Sequence, residues 1–324
     1  MPSTLSKSRA VDLLRRYPFL PALAILCLLF VLNGIAEPNS LTVRAIKGVI
    51  STYLALVFLS IAQTFVVYTA DIDLSVGAIL SIVNVSMVVI MQQMGGGPYA
   101  VLLACLIGIF IGALCGLLNG FVVAGLRLQP IVATFATSIL ISGVALWILP
   151  VAGLPAPSAF WKIYGGRSMG IPNVFFFMLA LVALLVILAK TRLVTKLLAV
   201  GNGQLSAYQS GLPVTKIRIY GYVICGVFSA LAAFCITGDT ASGDPLVGGA
   251  MTLSSVAAVV LGGTALSGGA GSAFGSAIGA LIIGLISSLV FYAGTPSEWQ
   301  NLVQGATILA VLMLGVLVSR RINK

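Results

Sequence analysis

KTRLVTKLLAVGNGQLSAYQSGLPVTKIR, residues 190–218, is a polar interval between two long apolar runs, and it carries five basic residues and no acid. Within it, GNGQLSAYQSG (201–211) is compact enough for one short helix. Asn202 is placed to cap that helix, Leu205 and Tyr208 share a face three residues apart, and Gly211 ends it before Pro213 blocks continuation. Basic residues at the ends of apolar runs mark the cytoplasmic side of a membrane. The interval is therefore expected to be a rigid cytoplasmic knob, with the chain before and after it building the bilayer-spanning part.

Composition agrees with that frame. Hydrophobic residues make up 60% of the 324, charged residues only 7%, and mean hydropathy is +1.15. No soluble core works with so little charged surface. The 17 Lys+Arg against 7 Asp+Glu do not form patches with aromatics, so they read as topology signals and no nucleic-acid partner is expected. All five cysteines (Cys27, Cys105, Cys115, Cys225, Cys235) fall in apolar runs and imply no disulfide framework. The chain has no histidine; neither a metal site nor a cofactor is expected. The basic start and apolar 19–32 resemble a signal peptide without a cleavage site, which predicts a retained first span.

A spanning helix needs about 20 apolar residues. Spans are predicted at 19–35, 48–68, 76–94, 99–125, 131–150, 171–189, 216–237, 251–266, 272–292 and 299–318. Ten spans put both ends on one side, and Lys7, Arg9, Arg15, Arg16, Arg320, Arg321 and Lys324 make that side the cytoplasm. The whole of 1–324 then reads as one transmembrane domain, with a cytoplasmic tail 1–18 and a cytoplasmic loop 190–216. Only Arg44, Lys47, Lys162 and Arg167 are left outside.

Gly108, Gly112, Gly116 and Gly120 recur every fourth residue in one span, and Gly271, Gly275 and Gly279 in another, forming stripes that let helix backbones approach closely. The two ladders are five spans apart, an odd offset, which predicts halves of opposite membrane orientation. Asp12, Glu37, Asp239, Asp244 and Glu298 are expected in loops or tails. Asp71 and Asp73, in TADIDLSVG, are wedged between apolar runs, where acids are costly. Two readings stay open for them: an interfacial turn that caps the next helix, or a broken helix lining a polar cavity.

Four ordered motifs carry a family likeness: IDLSVG (72–77), GLLNGFVVAGLRLQPIVAT (116–134), AVGN…AYQSG (199–211) and AAVVLGGTALSGGAG (257–271). Together they resemble the permease subunits of ribose/xylose/arabinose-type monosaccharide ABC importers over about 42–318. The resemblance implies an all-α polytopic fold of about ten transmembrane helices with inverted-repeat architecture, in the bacterial inner membrane. It also implies a cytoplasmic ABC ATPase subunit, a periplasmic sugar-binding protein and a second permease subunit, identical or paralogous, as partners within membrane lipid. On this likeness Gly201, Asn202, Gln204, Leu205, Ala207, Tyr208, Ser210 and Gly211 are expected to couple to the ATPase, with Ala207 facing its socket. The chain departs from the family where a glycine pair is usual and Ala70-Asp71 stands, so Asp73 is the matched acid and Asp71 the extra one. Thr252 and Ser254 stand where Glu-x-Asp is common, and Asp239 where arginine is frequent.

A passage for a neutral, hydroxyl-rich solute needs Ser, Thr, Asn and backbone groups that replace water without binding tightly. Asp73, Ser75, Asn84, Asn119, Thr134, Thr252 and Ser254 are the candidates. The chain has no Walker A pattern and no nucleophile–base spacing, so it reads as a non-catalytic transport subunit whose ATP hydrolysis is on another chain. The competing class is a proton-coupled secondary transporter using Asp71 or Asp73.

Overall fold

A computed structural model describes residues 19–296 and, beyond them, Trp299, Leu302, Val303, Gly305, Ala306, Leu309 and Met313. The tail 1–18 and most of the expected tenth span lie outside the described residues. Nine apolar segments expected from the sequence each fold as an α-helix, and among the described residues three further short α-helices and a 3₁₀ turn, Pro38–Leu41, join them. The helices are α1 (Leu20–Ala36), α2 (Val43–Val67), α3 (Val76–Gln93), α4 (Pro98–Gly120, prolonged by a π-turn Phe121–Gly125), α5 (Pro130–Ile148), α6 (Ser158–Gly165), α7 (Asn173–Ala189), α8 (Arg192–Asn202), α9 (Gln204–Gln209), α10 (Val214–Thr240), α11 (Gly249–Leu261) and α12 (Ala273–Tyr292). Two antiparallel ribbons complete the described chain. β1 (Leu154–Pro155) pairs with β4 (Ser242–Gly243), and β2 (Arg167–Ser168) with β3 (Ile171–Pro172).

Helix starts follow the local chemistry. Pro98 and Pro130 occupy first turns, where a missing N–H costs nothing. Thr42 and Ser272 cap α2 and α12 with side-chain oxygens that accept from Ala45 and Gly275. Among the described residues six helices are long and apolar enough to cross a membrane, and α7 joins them only when taken with α8, from which it is bent by 68°. At 17 residues, α1 rises roughly 26 Å; at 13 residues, α11 rises only about 20 Å, short of the ~30 Å hydrocarbon core. The expected span 251–266 is therefore a helix of about two-thirds the needed length followed by an irregular loop, 262–272. This corrects the reading of that segment as an uninterrupted span.

The core is built around α2 and α3. From Leu54 to Val67 every residue of α2 is buried, polar ones included. α10 packs along α2, α3 and α4; α12 lies against α1, α2 and α11; α5 covers α3. Close approach makes this possible. A Cβ added at Gly112 or Gly116 would overlap carbonyls of Gly226 or Tyr222 on α10, and one at Gly120 would press on Ile219. Gly108 meets Met87 and Phe234, while Leu102, Leu106, Phe110 and Leu114 on the opposite face of α4 point outward. Gly275 and Gly279 face Gly262 and Ala258 of α11 in the same manner. Gly271 is not part of that helical stripe: it stands in the loop before α12 with φ +151°, against Thr264. Asp239, expected in a loop, belongs to the last turn of α10 and accepts a hydrogen bond from Ser51 Oγ (2.7 Å).

Candidate functional site

Between α2 and α3 the chain abandons the helix for residues 68–75 while remaining inside the protein. Ala70 adopts φ +64°, Asp71 is 3% exposed and Asp73 not at all. Irregular backbone at such a place persists only if its polar groups find partners inside the protein, and its central ones do. The Gln63 side-chain amide, turned so that donor and acceptor match, pairs with the C=O and N–H of Asp73 (3.0 and 3.1 Å). Leu74 N–H donates to Thr134 Oγ1 (3.0 Å), and Tyr68 C=O accepts from Gly269 N–H (3.1 Å).

The Asp73 carboxylate organises the start of α3. Its Oδ1 accepts from both the N–H and the hydroxyl of Ser75 (2.8 and 2.6 Å), and Asn119 on α4 donates to Ser75 Oγ (2.6 Å). The Cys225 thiol on α10 faces the other oxygen at 3.8 Å. Cys225 is eleven residues beyond Val214, the first of α10, which is roughly 16 Å along the axis at 1.5 Å per residue. Asp73 is thus deep in the bundle. Asp71 is shallower: Arg218, in the second turn of α10, grips it with both Nε (3.0 Å) and Nη2 (2.9 Å), while Thr69 Oγ1 donates at 3.3 Å.

The polar interval 190–218 forms two helices rather than one. Asn202 is the last residue of α8, not a cap for α9; Gly203, extended at φ 173°, precedes α9, and the Asn202 amide donates to Gly269 C=O (3.4 Å). Gly201 packs on the carbonyl of Tyr68 and the N–H of Gly269, leaving no room for a Cβ. Leu205 and Tyr208 do share an outward face, at 70% and 71% exposure, with Gln204 and Ser210 also exposed. Ala207, expected to face a partner, is instead 5% exposed and turned into its own chain. Gly211 ends the unit at φ +80°, the left-handed conformation expected there.

A second break mirrors the first in kind. After α10, Ala241 turns left-handed (φ 52°), and the chain passes Asn84 at the middle of α3. Asn84 donates to Thr237 Oγ1 (2.6 Å) and Ser242 C=O (3.1 Å) and accepts from Asp244 N–H (2.7 Å). Gly248 then meets Gly77 backbone to backbone, and Thr252 Oγ1 accepts from Gly77 N–H (3.2 Å). Ser254 is half-buried and bonds back to Ala250 C=O.

The structure therefore brings Asp73, Ser75, Asn119 and Thr134 into one connected network, joins Thr252 to it through the first turn of α3, and leaves Asn84 at the second break. Sequence reasoning passed over Gln63 and Arg218. A lone amide in an apolar run was the available signal for Gln63; nothing local linked Arg218 to an acid 147 positions away. Alongside these groups a cleft of about 980 Å³ opens between α9, the α4–α5 turn and the start of α10, lined by Asp71, Arg127, Gln129, Tyr208, Lys216 and Arg218 among others.

Residues 45–312 match the family described as branched-chain amino acid transport system / permease component. The chain belongs to this permease family. The permease is 35% identical over 306 residues to the ribose import permease protein RbsC of Bacillus subtilis, covering 92% of this chain and 91% of that protein. It is 30% identical to RbsC of Escherichia coli K12 over 300 residues, 90% of this chain and 91% of that one. With the autoinducer 2 import system permease protein LsrC of Yersinia enterocolitica it shares 30% identity over 302 residues, 90% of this chain and 81% of that one. The permease is accordingly a polytopic, multi-pass protein of the bacterial inner membrane.

Proposed function

We propose that this chain is the membrane-spanning, non-catalytic subunit of an ATP-driven ABC importer that forms the pathway for a monosaccharide or related polyol. The observation that carries the reading is likeness over nine-tenths of the chain to ribose import permeases. Solute is delivered by a periplasmic binding protein, ATP is hydrolysed on a cytoplasmic ABC subunit, and a second permease, identical or paralogous, completes the pore. The chain is one transmembrane domain with both termini, the 1–18 tail and the 190–216 loop in the cytoplasm. The two stripes of glycines belong to halves of opposite orientation.

In this reading α9 docks the ATPase through its outward face, Leu205 and Tyr208, with Gln204 and Ser210 at its edges. Gly201, Asn202 and Ala207 hold α8 and α9 to the permease, and Gly211 sets the exit into α10. A short helix seated this firmly transmits displacement to the broken segment instead of absorbing it. Asp73, Ser75, Asn119 and Thr134 shape that segment, Asn84 and Thr252 the second break, and Ser254 the adjoining wall of the path once the second permease is present. The test is reconstitution in vesicles with the cognate ATPase and binding protein. ATP-dependent uptake that survives a protonophore is expected; uptake by the permease alone that collapses with the protonophore would instead identify a proton-coupled carrier using Asp71 or Asp73.

A further inference from the structure

The Asp71–Arg218 pair is a bidentate, fork-to-carboxylate contact with side chains 3% and 12% exposed, and it is the one salt bridge among the described residues within its cluster of elements. Burying two charges gains little stability over apolar groups of the same volume, so such a pair earns its place through the geometry it imposes. Here that geometry spans the molecule's two key parts. From α9, the chain reaches Arg218 through a tight turn in which Leu212 N–H and Gly211 N–H bond back to Ala207 and Tyr208 carbonyls, after which α10 begins at Val214. From Asp71 it is two residues to Asp73, which holds Ser75 and, through it, Asn119 on α4.

One turn further along the same face of α10, the Tyr222 hydroxyl is buried without a hydrogen-bond partner.

We propose that Asp71 and Arg218 are positioning residues that tie the movement of α9 and α10 to the broken α2–α3 segment, so that ATP hydrolysis and solute passage stay in step. The inference rests on the transport reading above. It reverses the ranking expected from sequence, in which Asp71 is the lesser of the two acids.

The reconstituted complex with its ATPase and binding protein tests it by uptake per ATP hydrolysed, a ratio that loss of stability alone does not change. Asp71→Asn and Arg218→Met each leave one buried group unpaired, and both should lower the thermal midpoint. The double variant, neutral on both sides, should regain the midpoint and ATPase association, yet its uptake per ATP should fall at least fivefold. A double variant with wild-type uptake per ATP overturns the proposal and returns the pair to packing. Should the double variant fail to insert, Arg218→Lys decides, since lysine keeps the charge without the fork: reduced uptake per ATP is expected, and wild-type coupling overturns the link. A wild-type complex without ATP-driven uptake overturns the transport reading itself, and this link with it.

Discussion

Gly201 of α8 rests on the carbonyl oxygen of Tyr68, the residue at which α2 breaks, so closely that a Cβ would overlap it. That same carbonyl accepts from Gly269 N–H, and the Tyr68 hydroxyl accepts from Ala273 N–H (2.9 Å). One residue therefore joins the broken helix, the loop before α12 and the helix pair α8–α9. Gly201→Ala should insert normally but force these three apart, at the typical overpacking cost of about 1–3 kcal/mol. A lowered thermal midpoint, with binding-protein-stimulated ATP hydrolysis reduced more than basal hydrolysis, is the outcome to measure.

The two faces of α9 should separate experimentally. Leu205→Glu and Tyr208→Ala alter exposed side chains and are expected to weaken co-purification with the ATPase while leaving stability within about 0.5 kcal/mol of wild type. Ala207→Trp, whose site is buried in its own chain, should instead destabilise the permease before any partner is added. Equal stability of all three would mean that α9 presents a different face.

Asp73→Asn retains an oxygen able to accept from Ser75, so insertion and the start of α3 should persist while uptake falls. Asp73→Leu removes that acceptor and should cost a further ~1–3 kcal/mol, the range for leaving buried donors without a partner. Comparing midpoints and uptake for the two variants separates the charge from the hydrogen bond.

Gly112 faces the backbone of Gly226 with no space for a side chain. Gly112→Leu must push α4 from α10, and a loss of at least ~2 kcal/mol, or failure to accumulate in the membrane, is expected. Leu114→Ala, on the outward face of the same helix, serves as the control and should accumulate as wild type.

Orientation can be read by labelling single cysteines placed in a background without the five native ones. Met169, 98% exposed at the tip between β2 and β3, should react with an impermeant reagent in intact cells when replaced by cysteine. Gln204→Cys should react only after the cells are opened. Labelling of Gln204→Cys in intact cells would invert the topology.

The membrane character, most of the helix positions and the Gly108–Gly120 stripe were determined by the sequence itself. Apolar run length and an every-fourth-residue spacing are local properties that survive projection onto one dimension, which is why segments such as 76–94 and 272–292 agree with α3 and α12 to within a residue or so. The left-handed Gly211 was equally legible, because Gly-Leu-Pro leaves the backbone few choices. What only the tertiary structure decided were the pairings across sequence: Asp71 with Arg218, Gly201 with Tyr68, Gly77 with Gly248, and the inward turn of Ala207. Each depends on which surface a helix meets, and a six-residue helix has too few positions for periodicity to reveal its buried face. The early end of α11 was hidden for a different reason. Residues 251–266 mix small polar and apolar side chains, and α11 ends inside them at the pair Gly262-Gly263, the second left-handed at φ +81°, with Gly262 backed against Gly275.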